Sequence, residues 1–142
     1  MRSLRLFSGF AVALILLSCN SKHATREVNT AEPASDKIEA YYFHFTARCV
    51  TCRTIEASAK EYIETLYPAQ VKQGLITFRS VNLDEPSSKP LAEKHGVSGQ
   101  TLLLVKGDKK INLTSDGFLY AVVKPEKFKE IIKEKVDGLL YE

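Results

Sequence analysis

The feature that most constrains this chain is a dithiol, Cys49-Val50-Thr51-Cys52, set between two segments of different period. Upstream, Ile38 to Thr46 is rich in Ile, Tyr and Phe with one polar His44, which predicts a buried strand. Downstream, Ile55, Ala59, Tyr62, Ile63 and Leu66 recur at helical spacing until Pro68, which predicts an amphipathic helix that stops there. The two thiols therefore fall where a strand hands over to a helix N-terminus. Unpaired N–H groups and the positive end of the helix dipole favour an anion at that point. Arg48 and Arg53 flank the pair and are expected to push the same way. Two intervening residues return the second sulfur over the first on the opening turn. Cys49 is then expected to attack a disulfide and the more buried Cys52 to resolve the mixed disulfide.

The rest of the chain supplies a sheet for that unit. Leu75 to Leu83 reads as a strand, and a short helix around Leu91 to His95 is stopped by Gly96. Thr101 to Val105 is an apolar strand, Gly107-Asp108 a turn, and Lys110 to Leu113 a partner strand. Phe128, Ile131, Ile132, Val136, Leu139 and Leu140 mark a terminal amphipathic helix, with Pro125 suited to its first turn. The order is βαβαββα, an α/β chain with a mixed sheet flanked by helices.

Over residues 37–142 this order resembles the thioredoxin-like superfamily. The resemblance rests on Cys49-Val50-Thr51-Cys52 between strand and helix, on the Val81-Asn82-Leu83-Asp84 strand end, and on Gly96-Val97-Ser98-Gly99 before Thr101 to Val105. It implies a thiol–disulfide oxidoreductase with a redox-active Cys49–Cys52 disulfide, Cys49 as nucleophile and Cys52 as resolving thiol. The chain departs from thioredoxin in having Arg48 before the motif and Val-Thr inside it. By spacing, the buried Asp that serves thioredoxin as proton acceptor falls on Phe43. The residue facing the dithiol, a cis-Pro in much of the family, falls on Thr101, which is thus the expected substrate-facing loop residue. Glu56, at i+4 from Cys52, is the candidate acceptor for the Cys52 proton through a water; its alternative is a solvated residue paired with Lys60. His44 is expected to point away from the face used by Phe43, because strand side chains alternate.

The third cysteine has its own explanation. Arg2 and Arg5 precede an apolar run from Leu6 to Leu17, and the run exits through Leu16-Leu17-Ser18-Cys19. That run is shorter than the roughly 20 residues of a spanning helix and has the pattern of an export signal. Its exit resembles the bacterial lipobox, so residues 1–18 are expected to be removed and Cys19 lipidated. Asn20 to Asp36 is polar and without period, which predicts a flexible tether over 19–36. The expected setting is the bacterial cell envelope, lipid-anchored and facing the periplasm; Asn20 after the lipidated Cys favours the outer membrane over the inner. Two thiols then remain in an oxidising compartment. The formal charge of +3 loses two arginines with the signal, and the remaining Lys and Arg alternate with Glu and Asp. Nucleic acid is therefore not an expected partner. The expected partners are protein thiols and disulfides of the envelope, with the domain a monomer that needs no cofactor and no metal.

A second class of reading keeps the fold without catalysis. The Cys pair, joined by His44 or His95, has the ligand chemistry of a zinc or copper(I) site, or it closes a permanent disulfide over four residues that restricts the unfolded chain little. A c-type haem site is excluded, because Arg53 stands where a His is required. Asn112-Leu113-Thr114 matches the N-glycosylation triplet and reads as strand. Tyr41, Tyr42, Phe43 and Phe45 read as core and as a cradle for the motif.

Overall fold

The computed structural model describes residues 36–142. The expected signal 1–18, the lipidation site Cys19 and the tether up to residue 35 lie outside the described residues. Four strands carry the fold: β1 (Ile38–His44), β2 (Ile76–Asn82), β3 (Thr101–Lys106) and β4 (Lys109–Asn112). They form one sheet in the order β2-β1-β3-β4. β2 runs parallel to β1 with Ile38 opposite Ile76, whereas β3 is antiparallel to both β1 and β4. α1 (Val50–Leu66) and α2 (Pro68–Lys72) lie between β1 and β2, a 3-10 turn at Pro86–Ser88 and α3 (Lys89–His95) between β2 and β3, and α4 (Thr114–Tyr120) and α5 (Pro125–Leu140) follow β4. This is the thioredoxin-like α/β arrangement, a mixed sheet flanked by helices. Among the described residues no helix is long and apolar enough to cross a membrane.

β1 is central because its sequence has no polar face to give to water. Ile38, Ala40 and Tyr42 enter a cluster with Ile55, Ala59 and Ile63 of α1 and Phe128, Ile132, Val136 and Leu139 of α5. Tyr41 and Phe43 point the other way, to Val81, Leu103, Val105 and Ala92 of α3. A continuous apolar run is what a strand covered on both faces requires. β3 divides likewise, with Leu102 and Leu104 in the first cluster and Leu103 and Val105 in the second.

Two helices were not expected from the sequence. Pro68 does end α1, but it also opens α2 as its first residue, where the N–H that proline lacks would have had no intrahelical partner. α4 forms just after the expected partner strand, in a segment to which the sequence assigned no element. Asn112 closes β4, and its side-chain Oδ1 accepts from Thr114 N–H at 2.9 Å. Thr114 Oγ1 accepts from Leu102 N–H at 2.9 Å, so the helix start is pinned to β3. Gly117 then lies against α1: a Cβ there would come within 2.9 Å of Ile55 Cγ2. The close approach of α4 to α1 needs a residue with no side chain.

Candidate active site

α1 places the two thiols differently through its own periodicity. Its buried stripe is Cys52, Ile55, Ala59 and Ile63, so Cys52 is the first residue of the core-facing side. Cys49 stands one turn earlier at the N-cap, in extended backbone conformation. Cys49 is exposed and Cys52 buried, with their sulfurs 3.0 Å apart. The pair is a close dithiol at the mouth of a helix, as the spacing predicts.

The Cys49 thiol is held below its ordinary value of 9.0, first by the Cys52 thiol as a hydrogen-bond donor and then by the backbone N–H groups of Cys52 and Thr51. These are the unpaired donors of the first helical turn. The flanking arginines act elsewhere, contrary to expectation. Arg48 Nη1 pairs with the Glu56 carboxylate, and Arg53 Nη1 donates to the Arg48 carbonyl at 3.2 Å. Their reach is spent on fixing the chain around the motif.

The loop before Cys49 is clasped by the end of β2. Leu83 N–H donates to the His44 carbonyl at 2.7 Å. Thr46 N–H donates to Asp84 Oδ2 at 2.7 Å, and Asn82 Nδ2 to Thr46 Oγ1 at 2.9 Å. The Thr46 amide holds the Asp84 carboxyl below its ordinary range. Asn82-Leu83-Asp84 thus acts as the seat on which the strand-to-helix turn is built.

Glu56 lies one turn beyond Cys52, half-buried. It pairs with Arg48 across the motif, while Lys60 pairs with Glu64 at 3.9 Å. Thr101 opens β3 opposite Phe43, and its hydroxyl donates to the Gly99 carbonyl at 3.0 Å. The side chain from this segment that reaches the dithiol is Gln100, whose Oε1 accepts from Cys52 Sγ at 3.1 Å. His44 lies on the Tyr42 face, as alternation predicts, with its ring stacked 6.1 Å from that of Tyr42. Its Nδ1 is 2.9 Å from the Phe45 carbonyl and its Nε2 2.9 Å from Ser80 Oγ, so both ring nitrogens are engaged away from the thiols. His95 sits on the far face against Tyr41, ring centroids 5.1 Å apart. Among the described residues no group of three or more His, Cys, Asp and Glu is arranged to hold a metal.

Two neighbours of Cys52 escaped sequence reasoning, Gln100 and Tyr42. Counting back from Cys49 points to Phe43 as the residue beneath the dithiol. Phe43 instead packs in the α3-side cluster, and Tyr42 lies under α1 with its hydroxyl towards Cys52. The count fails because residues 45–49 form a loop, and a loop does not preserve the two-residue alternation of a strand. The available signal was parity with Ile38 and Ala40, which assigns Tyr42 to the α1 face.

No protein-family model matches the chain. No curated protein matches it either. Among solved structures it is similar to a malarial protein at 23% identity, covering 52% of this chain and 74% of that one with a TM-score of 0.38. It is similar to the germline-specific thioredoxin Deadhead from Drosophila melanogaster at 20% identity, covering 55% and 67% with a TM-score of 0.39. The thioredoxin from Trypanosoma brucei brucei matches at 20% identity, covering 70% and 79% with a TM-score of 0.40. The thioredoxin-like assignment stands on strand order, strand direction and the place of the dithiol.

Proposed function

We propose that this chain exchanges thiols and disulfides through Cys49 and Cys52. The observation that carries the reading is the asymmetry of the pair. An exposed thiol, lowered by its partner's S–H and by a helix N-terminus, stands 3.0 Å from a buried one. Cys49 thiolate attacks a substrate disulfide, one substrate sulfur leaves with the electron pair, and Cys49 is held in a mixed disulfide. Cys52 then loses its proton and attacks the Cys49 sulfur. The Cys49–Cys52 bond forms and the second substrate thiol is released. Glu56 takes the Cys52 proton through one water and passes it to solvent, and Thr101 with Gln100 borders the substrate. Glu56→Gln is expected to slow exchange between pH 5 and 9; equal rates at every pH remove Glu56 and leave water as acceptor.

The setting we infer is the bacterial envelope, with the domain on a lipid at Cys19 and facing the periplasm, and with envelope protein disulfides as substrates. The Leu16-Leu17-Ser18-Cys19 exit supports it. Cys52→Ser in the full chain is expected to trap mixed disulfides through Cys49 in the membrane fraction. Trapping through Cys52 in a Cys49→Ser protein reverses the roles. A wild-type pair that resists mild reductant, or that reacts only after chelation, replaces exchange with a fixed bridge or a metal site. Soluble wild-type protein that begins downstream of Cys19 removes the anchor.

A further inference from the structure

With its carbonyl oxygen turned to the sulfur, Gln100 serves Cys52 in one of its two protonation states only. The one S–H of Cys52 has two acceptors in reach, Cys49 Sγ at 3.0 Å and Gln100 Oε1 at 3.1 Å, and in the mixed disulfide it is Gln100 Oε1 that accepts it. Once the proton leaves, that contact becomes an anion against a carbonyl oxygen, in a residue only 3% exposed. A buried thiolate without a donor is strongly disfavoured. Cys49 is no donor at that stage, because its sulfur is in the mixed disulfide.

Tyr42 is the group placed to answer this need. It is 1% exposed, and its buried hydroxyl faces Cys52 without completing a hydrogen bond to any protein group. Orphaned buried hydroxyls are rare in folded proteins and call for an explanation, a redox or catalytic role among them. β1 sends Tyr42 to the α1 side, beneath the stripe that Cys52 begins, and pairs it with Leu102, two residues from Gln100. The other groups facing this point are Glu56 and Arg48, which are paired with each other. Burial, then the negative charge at Cys52, pushes the phenol up. It keeps its proton and stays a donor wherever Cys52 ionises.

We propose that Tyr42 is a positioning residue for the resolving step: its phenol O–H donates to the Cys52 sulfur as that sulfur becomes thiolate. The proposal rests on the exchange function above. Tyr42 itself gains and loses no proton. The Cys52 proton leaves by Glu56 and water, Cys52 Sγ attacks Cys49 Sγ, and the substrate sulfur departs with the electron pair. Cys52 thus has an acceptor as thiol, Gln100, and a donor as thiolate, Tyr42.

The test is Tyr42→Phe in the full chain, which removes one oxygen and keeps the ring. With an aromatic disulfide such as a bis-nitrobenzoate, attack by Cys49 releases the first chromophore and resolution by Cys52 the second. The first release is expected to be unchanged, and the second about tenfold slower at pH 7, as follows from a thiolate pKa raised by about one unit. In a Cys49→Ser background, the Cys52 thiolate absorbance is expected to titrate about one pH unit higher when Tyr42 is also Phe. A ring-fluorinated tyrosine at position 42, a stronger donor, is expected to lower that midpoint and keeps the proposal testable should Tyr42→Phe fail to fold. An unmoved midpoint, or both releases slowed alike, overturns it. Failure of the wild type to release either chromophore sinks the exchange function, while the Cys52 titration still decides the role of Tyr42.

Discussion

The two faces of the sheet are packed to different depths, and the dithiol belongs to the deeper one. Among the described residues, sixteen buried side chains form one cluster on the side of α1, α4 and α5, whereas six form the cluster under α3. The deep side is also tied across its helices. Tyr62 of α1 meets Phe128 of α5 edge to face at 6.1 Å. Tyr67, which caps α1, donates to Asp137 Oδ1 at 2.7 Å. The shallow side has a seven-residue helix and leaves His95 Nδ1 buried without a partner. The deeper packing thus lies beneath the helix that aims the thiols, where a misplacement of about 1 Å is enough to slow a reaction.

The contrast is broken most directly in the cores themselves. Phe128→Ala is expected to cost about 3–5 kcal/mol, the usual range for emptying a fully buried aromatic site. Leu91→Ala, on the partly exposed α3 side, is expected to cost less than about 2 kcal/mol. Urea unfolding of both measures the difference, and equal losses erase the distinction between the faces.

A smaller effect sharpens the link from the deep side to the dithiol. Gly117→Ala pushes a methyl to within 2.9 Å of Ile55, and overpacking of this kind costs about 1–3 kcal/mol. Because Ile55 is three residues from Cys52 on the same stripe, the substitution is expected to displace Cys52 and slow resolution. Thermal unfolding and the second chromophore release check the two parts. An Ala at 117 that leaves stability intact means α1 and α4 slide apart freely.

The smallest effect concerns the shallow side. Burial, then Lys110 and Lys94, lowers the His95 pKa from 6.5. The folded state therefore prefers neutral His95, and the unfolded chain takes up its proton first as pH falls. Stability is retained above pH 6.5 and declines as pH drops from there through the lower folded pKa. Melting temperatures between pH 5 and 8 are expected to fall on the acid side, and His95→Phe to flatten that fall. A slope unchanged in His95→Phe assigns the proton uptake to other groups.

Local pattern carried much of this molecule. The stripe Ile55, Ala59, Ile63 predicted α1, and Cys52 three residues before Ile55 belongs to the same stripe, so its burial follows from helix geometry alone. The apolar run of β1 predicted a buried strand. α4 was invisible because Thr114 to Tyr120 is short and includes Ser, Asp and Gly, weak helix formers. Its stability comes from the Thr114–Leu102 bond and the Gly117–Ile55 contact, both between residues distant in the chain.

The sequence by itself therefore determined the strand-to-helix turn, the order of most elements and the unequal exposure of Cys49 and Cys52, because each depends on the period of a few neighbouring residues. The tertiary structure alone decided which groups surround the buried sulfur. Gln100 reaches Cys52 from another segment of the sheet, 48 residues away, and Tyr42 rather than Phe43 lies beneath it. Arg48 turns to Glu56 and leaves the lowering of Cys49 to the Cys52 thiol and the backbone N–H groups of the helix N-terminus. Loop residues 45–49 break the strand's alternation, and contacts across a sheet depend on register, which no spacing within a single segment encodes.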